Sequence, residues 1–297
     1  MAGLGIPGGL RLDGRAALRL GQEAAEAGLA PVLFTEVSGF DATAMSAAFA
    51  ATCPGVATGT GIVPLGARTV TATAMAARTA AELSGSRYLL GVGVSTRQIV
   101  TGWHEAAYDA SVVGTRRRLE ELRAVLSGER RGSFTLTTTG NADIGLLLGA
   151  MGPRMTALAL EVADGVILNH TPPSQVPAAP DGKQVVAYCW VLCCPDGDAR
   201  VRRDLVSYAM AAPYARHFRS LGFAEVVDDV QRLHAAGRLR EAPARLPREM
   251  VDALSTAPDD LAQRLAEYEV AGALPVVMPV TGERPVEEIS SFLQSRV

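Results

Sequence analysis

Eight short apolar runs recur along this chain, separated by longer amphipathic stretches, and that alternation restricts its fold more than any other feature. The runs are Gly3–Ile6, Val32–Val37, Val56–Val63, Tyr88–Val94, Ile144–Met151, Gly165–Asn169, Val185–Cys194 and Leu274–Val280. A strand covered on both faces by crossover helices reads as a continuous apolar run instead of an alternating one. The pattern therefore predicts a parallel sheet, and eight such units in 297 residues fit a single (β/α)8 TIM barrel of the α/β class spanning residues 1–297. An open, doubly wound sheet is the main competitor, and strand count alone does not separate the two.

Helical spacing fills the gaps. Arg15–Ala27 places Ala17, Leu20 and Ala24 on one stripe and stops at Gly28, a C-cap residue. Arg68–Leu83, Thr115–Leu126, Met155–Ala163, Asp260–Val270 and Glu287–Leu293 read the same way. Two stretches break the rhythm. Ser133–Thr139 is a short excursion before the fifth strand, and Asp198–Thr256 is a long, polar, arginine-rich helical insertion between strands seven and eight. An insertion after a barrel strand belongs at the active-site end, so residues 198–256 are expected to form a lid or side wall there.

Composition excludes several function classes. A net charge of −3 with 20% charged residues gives no basic surface for nucleic acid or an anionic membrane. The longest apolar run, Val185–Cys194, is roughly half of the ~20 residues a membrane helix needs. No basic stretch followed by an apolar one marks a signal peptide, so a cytoplasmic protein is expected. The cysteines, Cys53, Cys189, Cys193 and Cys194, form no CxxC pair and read as buried thiols; with no HExxH and no carboxylate cluster, no metal site is expected.

Three segments at strand ends carry chemistry, because a barrel keeps its active site there. In Thr58-Gly59-Thr60-Gly61-Ile62-Val63-Pro64, paired glycines within a strand mark either a bulge that approaches a ligand or an ordinary tight turn. Leu90-Gly91-Val92-Gly93-Val94-Ser95 resembles half a dinucleotide fingerprint, but Thr96 stands where the third glycine would be. No P-loop and no G-x-S-x-G elbow occurs. Ala150-Met151-Gly152-Pro153-Arg154-Met155 precedes a helix whose free N–H groups point at an anion, and Arg154 could add a charge-assisted bond to a phosphate. The other reading of that segment is a capped helix with a solvated arginine.

Candidate proton donors are few. Glu36 ends the second run, where a charge has no packing reason to exist, while His104 and His170 follow the fourth and sixth strands. His217 sits in the polar patch Tyr214-Ala215-Arg216-His217 and reads as part of a solvated helix face. Trp103 and Phe40 are placed by the pattern where they could line a substrate pocket.

Taken in order, Thr35-Glu36, Gly59-Thr60-Gly61-Ile62-Val63-Pro64, Leu83 to Gly93, Arg118-Leu119-Glu120, Gly152-Pro153-Arg154-Met155 with Leu158-Ala159, Glu161 to Ile167, and Leu265, Tyr268, Ala271 and Gly272 resemble the luciferase-like monooxygenase superfamily, in its coenzyme F420-dependent branch. The resemblance spans roughly 250 residues and rests on order and spacing rather than on any one piece. It implies a (β/α)8 barrel with a deazaflavin or flavin ring in its mouth, and a non-prolyl cis peptide at Gly61–Ile62 beneath that ring. It implies that Gly93, Val94 and Ser95 line the ring, that Met151 to Met155, next to Ala150, hold the phosphate, and that Asn169 and His170 flank the tail. Many relatives carry His-Pro where this chain has Arg68-Thr69, and in a closely similar subgroup a histidine often stands where this chain has Thr96. The function implied is an F420-dependent oxidoreductase moving a hydride between the deazaflavin and an unsaturated small molecule (C=C, C=N or C=O), with Glu36, His104 and His170 as catalytic candidates. An FMN-dependent monooxygenase and a non-catalytic cofactor-binding relative are the alternatives. Relatives often form dimers, so a homodimer is carried as an expectation.

Overall fold

In a computed structural model, which describes residues 2–138 and 142–295, the eight apolar runs become eight parallel strands that close on themselves in chain order. Up to the end of the sixth strand the elements run β1 (Gly3–Ile6), α1 (Gly14–Glu26), β2 (Val32–Phe34), α2 (Ala42–Thr52), β3 (Thr58–Pro64), α3 (Val70–Ser84), β4 (Tyr88–Gly93), α4 (Val112–Leu126), β5 (Ile144–Gly149), α5 (Pro153–Val162) and β6 (Gly165–Leu168). Then come β7 (Gln184–Leu192), α6 (Gly197–Ala209), α7 (Ala212–Ser220), α8 (Ala224–Ala235), α9 (Arg248–Leu254), α10 (Leu261–Val270), β8 (Leu274–Val280) and α11 (Pro285–Gln294). Pairing of β1 with β8, Gly3 opposite Val276, closes the barrel and rules out the open sheet.

Local chemistry sets the helix starts. Asp13, Asp41, Thr69 and Ser111 each accept a backbone N–H three residues on, at 2.7, 2.9, 3.2 and 3.0 Å. Each such cap contributes about 1 kcal/mol. The helices match their sequence-predicted spans within about three residues, with one omission: α2 was not anticipated. Its sequence, ATAMSAAFAAT, has no charged face, so no polar and apolar stripes stand out at helical spacing. The excursion before β5 carries only an isolated antiparallel pairing of Arg131 with Phe134, and Thr139 lies outside the described residues.

Two apolar layers belong to the barrel. Leu33, Leu89, Leu147, Ile167, Val186 and Met278 fill its interior, while a larger shell joins the outer strand faces to the helices. The insertion α6–α9 has its own core around Leu205, Phe218, Val227 and Met250, which reaches the barrel through Val280 and Trp190. All four cysteines are free, with Cys189 and Cys194 buried. Among the described residues no helix is long and apolar enough to cross a membrane.

Phe49 of α2 shows how the shell holds. It is fully buried, packs 5.9 Å from the Phe34 ring, and fills the space that only a glycine at position 21 of α1 leaves free. Phe49→Ala is expected to lower unfolding free energy by about 3–5 kcal/mol, read by chemical denaturation.

Candidate active site

The floor of the barrel mouth is a bulge in β3. Register against β4 shifts between Thr60 and Val63, and the peptide bond between Gly61 and Ile62 is cis. The paired glycines thus belong to a bulge and not to a simple turn. Tyr188, on β7 across the barrel, donates its hydroxyl to the Gly61 carbonyl. A Cβ on Gly61 would lie 2.4 Å from that hydroxyl oxygen, so the position admits no side chain. The next carbonyl, of Ile62, accepts the Glu36 N–H at 3.2 Å. The Ile62 side chain covers Gly93 at the end of β4, where a Cβ would meet its Cδ1 at 2.1 Å.

Above this floor opens a cavity of about 620 Å³, within the range of small-molecule sites. Of the residues singled out from sequence, Glu36, Gly61, Ile62, Val94, Ser95, Ala150, Met151 and Asn169 line it. Gly93 sits beneath the wall under Ile62. Gly152, Pro153, Arg154 and Met155 lead away from the wall into the first turn of α5: Gly152 takes φ 80°, Pro153 is the first helical residue, and Arg154 is exposed.

Neither candidate histidine is on the wall. His104 is exposed at the end of the wide helical turn Gln98–Trp103. His170 is enclosed behind the wall, its ring stacked 5.1 Å from Trp190 and set edge-on to Tyr208 at 4.6 Å. Both its ring nitrogens lack a hydrogen-bond partner. Burial, reinforced by His217, pushes its pKa down to about 3, so the ring is neutral. His217, expected on a solvated face, is buried instead, because α7 turns it inward; its Nε2 lies 2.9 Å from the His170 carbonyl oxygen. Trp103 and Phe40 also leave the pocket. Trp103 is exposed, and Phe40 packs edge-on against Phe34.

Glu36 is on the wall but committed. Its carboxylate takes both Arg68 guanidinium nitrogens, at 2.5 and 2.9 Å, and the Ala42 N–H at 3.0 Å. Arg68 also pairs with Asp41, and the bond to Glu36 leads the effects that hold the guanidinium above its ordinary pKa. The Arg68 substitution that stood out in sequence thus builds a closed ion-pair cluster at the rim.

The aromatic side of the wall, from Tyr188, Trp190, Tyr208 and Tyr214, was missed. The Asn169 carboxamide is pinned at both ends: it donates to the Tyr214 hydroxyl and accepts from the Trp190 indole, both at 2.9 Å. Tyr208 lies 4.4 Å from Tyr214. Tyr188 and Trp190 follow Val186 at two-residue spacing on β7, a period that could have marked them as facing inward. Nothing local marked Tyr208, Tyr214, Asp204 or Ser207.

Gly61→Ala is expected to destabilise the protein by about 1–3 kcal/mol. Tyr188→Phe in the same chain is expected to recover part of that loss, and a double-mutant cycle of denaturation midpoints checks it. His170 binds a proton more readily unfolded than folded, so stability is lost as pH falls from 6.5 towards about 3. His170→Phe is expected to flatten that slope by up to about 1.4 kcal/mol per pH unit, measured by denaturation across the window.

Residues 5–274 match the model of the family described as luciferase-like monooxygenase. A Mycobacterium tuberculosis protein named as a coenzyme F420-dependent oxidoreductase is 29% identical over 91% of this chain and 92% of its own length. A 5,10-methylenetetrahydromethanopterin reductase of Archaeoglobus fulgidus is 27% identical over 69% of this chain and 71% of its own. Among solved structures, a coenzyme F420-dependent tetrahydromethanopterin reductase of Methanopyrus kandleri superposes with a TM-score of 0.73 at 20% identity, covering 99% of this chain and 98% of that one. With its barrel, its bulged third strand and a family match over most of its length, the chain belongs to the luciferase-like monooxygenase family.

Proposed function

We propose that the chain is an F420-dependent oxidoreductase that moves a hydride between a deazaflavin and an unsaturated small molecule (C=C, C=N or C=O). The observation that carries this reading is the floor at Gly61–Ile62, which packs against the glycine ends of β4 and β5 beneath a largely apolar cavity. Gly61, Gly149 and Ala150 line the cavity with main chain and at most one methyl group, a surface suited to a flat ring. The first turn of α5, beginning beside Met151, offers free N–H groups with Arg154 next to them for an anionic tail. These features fit a deazaflavin, and the similarity to the Mycobacterium tuberculosis protein supports that cofactor over FMN.

When bound, the cofactor would supply or take the hydride. The chain's own residues place and shield. Gly61 and Ile62 support one face of the site, Val94 and Ser95 border it, and Gly152 to Met155 hold the tail. The Asn169 amide, fixed by Trp190 and Tyr214, presents a set orientation beside the tail. Apolar walls keep water from the reacting atoms. Glu36, its oxygens engaged by Arg68, serves as a fixed rim charge.

Titration of the purified protein with F420, and separately with FMN, followed by fluorescence, tests the reading. Tight binding of F420 alone is expected. Arg154→Gln is expected to weaken it about ten-fold, as for loss of one charge-assisted hydrogen bond. Binding of FMN alone would move the protein to the monooxygenase reading, and binding of neither would overturn the cofactor assignment.

A further inference from the structure

Two carboxylates line the cavity, Glu36 and Asp204, and their surroundings differ in the one respect that matters for moving a proton. The oxygens of Glu36 are occupied by Arg68 and the Ala42 N–H. Asp204 has no hydrogen-bond or ion-pair partner among the described residues. Two arginines of α6 are drawn elsewhere, Arg200 to Asp196, and Arg202 to Asp198 and the Leu246 carbonyl, while Arg203 attracts Asp204 without bonding to it.

Asp204, Ser207 and Tyr208 stand three and four residues apart on α6, so they share one helical face, and all three line the cavity. Helix α6 packs against β7 and β8. Just past β8, Thr281 also lines the cavity; it is 7% exposed and its hydroxyl has no partner. A buried hydroxyl left unpaired carries a desolvation penalty that is removed when a ligand atom pairs with it. The neighbouring lining from Met278, Pro279, Val280 and Leu10 is apolar. Polar capacity on this side of the mouth is thus concentrated between α6 and the end of β8, away from the β3–β5 floor assigned to the cofactor.

We propose that Asp204 is the residue that gives or takes the substrate's proton, with the Thr281 hydroxyl hydrogen-bonding the same substrate heteroatom. The inference rests on the hydride-transfer reading of this cavity. For a neutral ketone or enone the balance is simple. A bound reduced deazaflavin would supply the hydride (one proton with two electrons) to the substrate carbon and would itself be the two-electron reductant. The Asp204 O–H bond breaks as the substrate O–H bond forms, and the carboxylate left behind regains a proton from water at the mouth. Alcohol oxidation runs the same steps backwards.

Asp204 is an exposed residue at the rim of the cavity, and partial desolvation there raises its carboxyl above the ordinary aspartate value, against the pull of Arg203 and Arg200 on its own helix. Among the described residues the charges that act on it are those of Arg203 and Arg200, and its own charge acts on Tyr208 one turn along the helix. The tyrosines around the same cavity, Tyr188, Tyr208 and Tyr214, are themselves held neutral by burial. A carboxyl shifted in that direction keeps its proton to higher pH than an ordinary aspartate, which favours donation.

The first test needs no substrate. Cofactor-free protein carrying ¹³C-labelled aspartate is titrated by NMR, with the Asp204 resonance assigned by its absence in Asp204→Asn. A midpoint above the ordinary range supports the proposal, and a midpoint at or below it overturns it. The second test uses reduced F420 with 2-cyclohexen-1-one, acetophenone and a cyclic imine as probes. Asp204→Asn is expected to bind F420 as the wild type does and to lower kcat about 100-fold or more, with Asp204→Glu restoring part. The wild-type rate is expected to fall as pH rises through the Asp204 midpoint, a limb absent in Asp204→Asn. Undiminished turnover in Asp204→Asn, with F420 bound, overturns the role of Asp204 alone. Failure of the wild type to bind F420 overturns the hydride-transfer reading and this inference with it. If no probe is turned over, the NMR midpoint decides.

Discussion

The Tyr188 hydroxyl reaches across the barrel interior to the Gly61 carbonyl, joining β7 to the β3 bulge over 127 positions of sequence. As energy it is modest, about 1 kcal/mol net for a buried hydrogen bond. As geometry it decides the site. It fixes which way the bulge carbonyl points and leaves no space for a side chain at position 61. It also keeps Ile62 over Gly93, so that one cavity opens across the ends of β3, β4 and β5. A tyrosine used in this way is held neutral by its own burial and remains a donor.

The insertion α6–α9 completes what the barrel alone leaves open. Its core is separate from the barrel's outer shell, yet it shares Val280 and Trp190 with the strand ends, so one face of α6 is brought against the mouth. Tyr208 and Tyr214 then close the aromatic wall that fixes Asn169 and encloses His170. The barrel side supplies glycines and main chain, where a flat ring could rest. The insertion side supplies side chains, where a substrate could be distinguished. Family members can therefore keep the first and vary the second, as expected when function resides in a site grafted on a common fold.

Charge at the rim follows the same division. Glu36, Arg68 and Asp41 form a closed cluster beside β2 and β3, with their charges spent on one another. Asp204, on the opposite element, keeps its oxygens free. Distance along the chain says nothing about this difference. It depends on which guanidinium each carboxylate meets, and Arg68 reaches Glu36 only because β2 and the loop after β3 are neighbours in the closed sheet.

Sequence alone determined the positions of the eight strands, the helices with a charged face, the insertion, and the glycines of the bulge. These are written in periods of two and 3.6 residues and in residues that demand particular backbone shapes, all of them local. Helix α2 escaped because a segment with no polar face has no period to read. Whether the glycine pair was a bulge or a turn, which acid was free, and where the histidines went were decided only by tertiary structure. His170 and His217 look alike in sequence to any surface histidine, and packing of α7 against the end of β6 buried both. Asp204 looks like one more charge in a polar helix until α6 docks on β8. Barrel closure brings together groups that lie far apart along the chain, and a contact of that kind leaves no trace in the spacing of either partner.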